Sequence, residues 1–209
     1  MLRTPRARQR AIAILTAVAL GFGLAACGED SDDSTGSPSD LHTAADGIVY
    51  NDADIEFATD MIPHHAQAVA MVTLSDGRQL DPAVQQLAGQ IRDAQVPEVE
   101  TMVDWLTSWG EEVPETSLDH SNAGHDMDME SNDMPGMMSD EDMNALENAS
   151  DEEFQAMWLE MMIEHHRGAI EMAETEAAEG RYPDAVSMAR SIKSSQEAEI
   201  GRIEQLLGR

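Results

Sequence analysis

The pattern of apolar residues predicts helices. Phe57, Met61, His64, Ala68 and Met71 are spaced by four, three, four and three residues, which places them on one face of a helix. Helix start and stop signals bound four such segments. The first helix is capped by Asn51, Asp52 or Asp54 and runs to about Leu74, and the second begins at Asp81 and Pro82 and ends near Trp109. The third helix begins with a capping box of Ser150 and Glu153 and runs to about Ala178. The fourth begins at Pro183 and ends at Gly208. A shorter helix is predicted at about residues 140–147.

The second pair of helices repeats the first. A shift of 101 residues aligns His64 with His165 and Phe57 with Trp158 without a gap. Short loops make each copy an antiparallel hairpin, and one long connector joins the two. We therefore predict an all-α, ferritin-like four-helix bundle over residues 50–209. Its parts are repeat one (51–110), the connector (111–149) and repeat two (150–209), and further pairs under the same shift are Met71 with Met172, Pro82 with Pro183, Gln95 with Gln196 and Glu98 with Glu199.

Each copy carries a His-His pair inside an otherwise apolar stretch, and the two pairs use four of the seven histidines. His64 and His165 share their helix face with methionines, while His65 and His166 lie on the neighbouring inward face. Two interpretations remain open. The histidines are either hydrogen-bonded core residues packed by methionines, or they share a metal, because imidazoles buried close together cannot all be protonated cheaply.

A metal held by imidazole and thioether groups would be a soft or late one. This donor set selects Cu(I) first, with Cu(II) and Ag(I) as alternatives. A di-iron centre would need Glu residues and Glu-x-x-His motifs, whereas Met61, Ile62, Met162 and Ile163 stand three residues before the histidines. The sequence therefore disfavours ferroxidase chemistry.

The connector is rich in histidine and methionine, without a helical period that would place these residues in a core. Such a tract suits the capture of Cu(I) or Cu(II). The alternative is an acidic linker of biased composition. The candidates for this secondary capture are His120, His125, Met127, Met129, Met134, Met137 and Met138.

Residues 1–49 predict export and anchoring. Residues 1–26 have an Arg-rich start, a short apolar stretch and small residues at the end, as in a signal peptide. Leu-Ala-Ala-Cys then resembles a lipobox, in which Cys27, the only cysteine of the chain, is lipidated. Residues 27–49 are predicted to be a disordered acidic tether in which His42 is solvated. The protein would then lie on the outer face of the cytoplasmic membrane, in the cell envelope.

The net charge narrows the choice of partners. It is −29, from 41 acidic and 12 basic residues. Such a chain repels nucleic acid and anionic lipid, so we expect no nucleic-acid partner and a membrane contact through the lipid on Cys27. Cations are its natural small partners.

The doubled motif resembles a known family. Met-Ile-x-His-His followed by Ala, an aliphatic residue and Met, together with Trp105-Leu106-x2-Trp109-Gly110, is similar to the domain-of-unknown-function 305 family over about residues 50–209. The resemblance implies a ferritin-like bundle that is exported and often lipid-anchored, with some copper-binding members. It implies two half-sites that differ where Glu164 replaces Pro63. Carried over residue by residue, it indicates Met61, His64, His65, Met71, Met162, His165, His166 and Met172 as metal ligands.

The function expected from these observations is copper binding outside the cytoplasm, for sequestration or hand-over in copper homeostasis, without catalytic turnover. A different class of function remains open: a structural or interaction module of the envelope whose histidines pack or sense pH. A third alternative is an oxidase acting on Cu(I), although the sequence shows no separate catalytic group. A copper-handling protein and a second copy of the chain are the candidate protein partners.

Overall fold

The computed structural model describes residues 41–116 and 134–209. Within them, a short antiparallel hairpin is followed by five helices. The elements are β1 (Leu41–Thr43), β2 (Val49–Asn51), α1 (Asp52–Leu74), α2 (Pro82–Trp109), α3 (Asp140–Asn148), α4 (Asp151–Glu179) and α5 (Pro183–Leu207). The prediction of an all-α bundle made of two helical hairpins and one short connector helix is confirmed.

Side chains at the helix ends explain these boundaries. Of the three candidate caps of α1, the structure uses Asn51, which forms a capping box with Asp54. Ser150 and Glu153 form the same arrangement at the start of α4. At the other end, α2 and α5 each stop at a glycine in the left-handed conformation, Gly110 and Gly208, as their sequences predict.

The helices pair as the duplication requires. The closest packing is within each hairpin, between α1 and α2 and between α4 and α5, and α1 packs against α4 to join the halves. Two apolar clusters result. One contains Phe57 and Met61 of α1 with Ala169 and Ala173 of α4, and the other contains Met71 of α1 among residues from both hairpins. Since α1 and α4 run antiparallel, their His-His pairs meet between the two clusters.

Residues 41–49 differ from the prediction of a disordered tether. Leu41 pairs with Asn51 at the outer end of the β1–β2 register. The Tyr50 ring is buried and stacks on Trp109, with ring centroids 4.4 Å apart. His42 stacks in turn on Tyr50, and its Nε2 atom lies 2.6 Å from a carboxylate oxygen of Asp52, so it is not simply solvated. The remainder of the predicted tether, residues 27–40, lies outside the described residues, as does the predicted signal peptide.

Candidate metal centre

Four histidines form a buried layer at the centre of the bundle. Their side chains have no solvent exposure, as their inward helix faces predict. The rings of His64 and His165 meet across the α1–α4 contact, with centroids 3.8 Å apart and planes inclined by 38°. His166 lies further out, with its ring centroid 6.5 Å from that of His165. We call the four residues, His64, His65, His165 and His166, the histidine layer.

The outer histidines of the layer, His65 and His166, each contact a glutamate. The Nε2 atom of His65 lies 2.8 Å from a carboxylate oxygen of Glu98, and that of His166 lies 2.6 Å from Glu199. Each pair joins the two helices of one hairpin, and the two pairs are related by the 101-residue shift. The repeat aligns Glu98 with Glu199, but no motif in the sequence assigns these residues to the site. The sequence feature that points to Glu98 and Glu199 is the acidic residue at equivalent positions of both copies.

The histidine layer has unpaired ring nitrogens. The Nδ1 atoms of all four histidines, and Nε2 of His165 as well, are buried without a hydrogen-bond partner. Where Nε2 of a neutral imidazole faces a carboxylate or carbonyl oxygen, the single ring proton belongs on Nε2, and Nδ1 then carries a lone pair. A buried acceptor without a donor costs about 1–3 kcal/mol. A histidine that donates one ring N–H to an oxygen and offers the other nitrogen inward has the usual arrangement of a metal ligand.

His64 and His165, the inner histidines, are kept in their neutral form. Burial, with the neighbouring charge of His65, lowers the pKa of His64 to about 3. Burial and the proximity of His64 lower the pKa of His165 well below its ordinary value. Neutral imidazole is the form that binds metals, so His64 and His165 are already in their ligand state at neutral pH.

The candidate methionines are not all in one place. Met61 and Met162 are fully buried and precede the histidine pairs by one helical turn. Met71 is buried in the apolar cluster beside Trp158, whose indole N–H donates to the Met71 carbonyl at 3.1 Å. Met172 is only partly buried and lines an open groove. Met61 and Met162 are therefore the thioethers nearest in sequence to the layer.

The donor set fits a soft ion better than a hard one. Among the described residues, no three His, Cys, Asp or Glu side chains surround a common point. Thioether groups are outside that set, and soft ions accept them together with imidazole. The unpaired imidazole nitrogens and the two buried methionines therefore fit copper, whereas the arrangement lacks the carboxylate cage of a hard cation.

The end of the connector covers the layer. Residues 134–138, which we call the connector strap, lie across α1 and α4. The carbonyl oxygen of Pro135 is 3.1 Å from Nε2 of His64. Gln67 fixes the next turn, since its side-chain amide donates to the Met138 carbonyl and accepts from the Met138 N–H, at 2.8 and 2.7 Å.

One glycine of α4 permits this contact. A Cβ atom on Gly168 would lie 1.9 Å from the Pro135 carbonyl oxygen. Gly136 approaches the same helix turn and has a left-handed backbone, with φ of 75°. Gly168 and Gln67 occupy equivalent positions in the two copies. The copies therefore differ where the strap docks, and of the two inner histidines only His64 has a hydrogen-bond partner for its Nε2 atom.

The predicted capture residues of the connector are partly visible. Met134 and Met137 are partly buried in the strap, and Met138 packs against the second apolar cluster. The sequence of the connector does not predict this packing, because it has no helical period. The other four candidates, His120, His125, Met127 and Met129, lie outside the described residues.

A duplicated all-α bundle with a buried layer of four histidines defines the class of protein. The family model for the domain of unknown function DUF305 matches residues 54–207, and the chain belongs to this family. Two crystal structures of DUF305 proteins are similar. That of a candidate secreted protein from Streptomyces coelicolor is 32% identical, with a TM-score of 0.63, over 75% of this chain and 91% of that one. A fragment from Deinococcus radiodurans is 27% identical, with a TM-score of 0.66, over 80% and 99%.

A third relative has been crystallised with metals. CopM in its Cu(I)-bound form is 25% identical, with a TM-score of 0.58, over 73% of this chain and 94% of that one. The Cu(II)-bound and silver-bound forms of CopM are also similar to this chain. No functionally curated protein matches the chain significantly. In the part of the chain that the structure describes, no helix is long and apolar enough to cross a membrane.

Proposed function

We propose that this protein is an exported copper-binding protein that holds copper at the histidine layer, for sequestration or hand-over and without catalytic turnover. The observation that carries the proposal is the set of buried, unpaired ring nitrogens in the histidine layer, together with the burial that keeps His64 and His165 neutral. A packing role would leave these acceptors unsatisfied, whereas a bound ion uses them.

His64 and His165 are the central ligands of this proposal, because their rings touch across the joint between the repeats. Met61 and Met162, buried one helical turn before them, would supply thioethers, which favours Cu(I) over Cu(II) and permits Ag(I). His65 and His166 either complete the site or bind further ions, and Glu98 and Glu199 orient them. The crystallisation of CopM with Cu(I), Cu(II) and silver supports this choice of ions.

The remaining parts of the proposal concern delivery and location. The connector, with His120 and His125 and its methionines, would collect ions for the layer. Lipidation of Cys27 would keep the exported protein at the outer face of the cytoplasmic membrane. Replacement of Cys27 by Ser should move the protein from the membrane fraction to the soluble fraction of cells.

The decisive experiment is a competitive titration of the purified mature protein with Cu(I). We expect tight, stoichiometric binding that is lost in the double variant His64→Gln/His165→Gln. The matched control is His42→Gln, which removes a histidine outside the layer and should leave binding intact. Equal binding by the two variants would refute the histidine layer as the site. Failure of the wild-type protein to bind copper would instead favour the envelope module, in which the histidines only pack.

A parallel titration addresses the connector. Replacing His120, His125 and the connector methionines together should reduce the number of copper ions bound per chain while the layer still fills. If the number is unchanged, the connector is only a linker.

A further inference from the structure

The connector strap supplies the histidine layer with a contact that the two glutamates do not supply. Glu98 and Glu199 each lie against an outer histidine. For His64 the oxygen that faces Nε2 is instead the backbone carbonyl of Pro135, at 3.1 Å. The His64 ring is fully buried and touches the ring of His165, so this carbonyl acts on the orientation of a ring at the centre of the layer.

Two residues of the bundle hold the strap in this position. On α1, the amide of the Gln67 side chain donates to the Met138 carbonyl at 2.8 Å, and its oxygen accepts from the Met138 N–H at 2.7 Å. On α4, Gly168 leaves the space that the Pro135 carbonyl occupies, since a Cβ atom there would overlap it. The docked position therefore depends on the presence of one side chain and the absence of another.

The internal repeat relates these two residues to the inner histidines. Gln67 follows His64 by three residues and Gly168 follows His165 by three, so the two are equivalent under the 101-residue shift. A glycine inside a helix is less stable than an alanine, which makes Gly168 favourable only where a close approach requires it. The turn after each inner histidine therefore carries one half of the docking site for the strap.

The strap also reaches the helix turn that carries His165. A Cβ atom on Gly136 would lie 2.6 Å from the carbonyl oxygen of Glu164, the residue before His165. The following end of the strap is fixed by Ser139, which caps α3. A shift of the strap would therefore act on His64 directly and on His165 through the adjacent backbone.

We propose that the connector strap sets the copper affinity of the histidine layer, with the Pro135 carbonyl as the positioning group of His64. In the docked state the carbonyl accepts the Nε2 proton, so Nδ1 is the nitrogen that remains for the ion. In the undocked state the ring loses its acceptor and its preferred orientation, which weakens its bond to the ion. The inference rests on the proposed function, because it names the regulation of the same site.

The position of the strap gives the layer a means of releasing its ion. The layer itself has no solvent exposure, and the helices that carry it are packed along their length. Release through unfolding of the bundle would break both apolar clusters. Undocking of residues 134–138 breaks only the contacts of the strap with α1 and α4, and it leaves the bundle intact.

The first test observes the His64 ring in the metal-free protein. Long-range proton–nitrogen correlation NMR at neutral pH should show the Nε2–H tautomer in the wild-type protein. In Gly168→Ala, and separately in Gln67→Ala, we expect a mixture of tautomers. The controls, Gly201→Ala and Gln90→Ala, should keep the wild-type signal, because a Cβ at Gly201 meets no atom within 4 Å and Gln90 is exposed on α2.

The second test measures the affinity for Cu(I) and its release to a chelator in the same four variants. Loss of a group that orients a metal ligand weakens binding by about 10–100-fold. We therefore expect binding about tenfold weaker in Gly168→Ala and in Gln67→Ala, with faster transfer to the chelator and an unchanged number of ions per chain. Both controls should bind and release copper as the wild-type protein does.

The two readouts separate the outcomes. An Nδ1–H tautomer in the wild-type protein, or the same tautomer in all variants, would overturn the inference. Wild-type affinity in both strap variants despite a changed tautomer would overturn it too, and would leave the layer standing as the copper site. If Gly168→Ala does not fold, Gln67→Ala decides, because it removes two hydrogen bonds without a steric overlap. If the wild-type protein binds no copper, the proposed function fails and the inference fails with it.

Discussion

Replacing Gly168 by Ala tests whether the connector strap is docked as the structure shows. In an open helical position this change stabilises a helix by about 0.5–1 kcal/mol. At Gly168, however, the new Cβ would lie 1.9 Å from a backbone atom, the Pro135 carbonyl oxygen, which cannot move without the strap. The strap must therefore shift or lift from α4.

The magnitude follows from what the shift breaks. Overpacking costs about 1–3 kcal/mol. If the strap lifts, Nε2 of His64 also loses the Pro135 carbonyl, and an unsatisfied buried N–H costs about 1–3 kcal/mol. After subtraction of the helix-propensity gain, Gly168→Ala should lower the free energy of unfolding by about 1–5 kcal/mol.

Urea denaturation followed by circular dichroism measures this difference. Two glycines in the same bundle serve as controls, because a Cβ at Gly89 or Gly201 would meet no atom within 4 Å. Gly89→Ala and Gly201→Ala should each be neutral or stabilising. If Gly168→Ala is as stable as these two variants, the strap does not rest on α4 and the structural reasoning is refuted.

Three further predictions concern the carboxylates and histidines. Glu98→Leu should lower the free energy of unfolding by about 1–3 kcal/mol, because it leaves the His65 N–H without an acceptor. Glu98→Gln keeps an acceptor and should lower it less. Equal losses for the two variants in urea denaturation would contradict the hydrogen bond between Glu98 and His65. Burial lowers the pKa of His64 to about 3, so the neutral form stabilises the fold above pH 6.5. That stability, about 5 kcal/mol at most, is lost as the pH falls from 6.5 towards 3, and His64→Gln should flatten the accompanying fall in melting temperature. Burial raises the pKa of Glu176 to about 9, so the contribution of this group to fold stability is fully present below pH 4.5 and is lost as the pH rises towards 9. Glu176→Gln should therefore raise the melting temperature at pH 8 but not at pH 4.5. The same effect at both pH values would argue against a buried carboxylic acid.

The sequence predicts the parts of the molecule that have a local or periodic signal. Apolar spacing and capping residues place α1, α2, α4 and α5 to within a residue or two of the structure. The 101-residue shift brings His64 and His165 into one layer, because equivalent faces of a duplicated hairpin must meet in a shared core. The buried position of the four histidines follows from this periodicity alone.

The rest depends on approaches between distant segments. Glu98 occupies a partly exposed helix position, where an acidic residue ordinarily needs no partner, so only the shape of the folded hairpin reveals its contact with His65. The docking of Pro135 on Gly168 has no local pattern at all, since a glycine inside a helix indicates close approach without naming the neighbour. The β1–β2 hairpin gives no sequence signal, because three-residue strands are too short to show alternation.

The contact between His64 and His165 has a consequence for how the molecule holds together. The two hairpins are joined covalently only through the connector, and α1 and α4 pack less extensively with each other than with their own hairpin partners. An ion shared by these two histidines would act as a removable cross-link, closing a loop of about a hundred residues as a disulfide would. Loading with metal would then fasten the halves of the duplication to each other, and resistance to proteolysis would report the occupancy of the site.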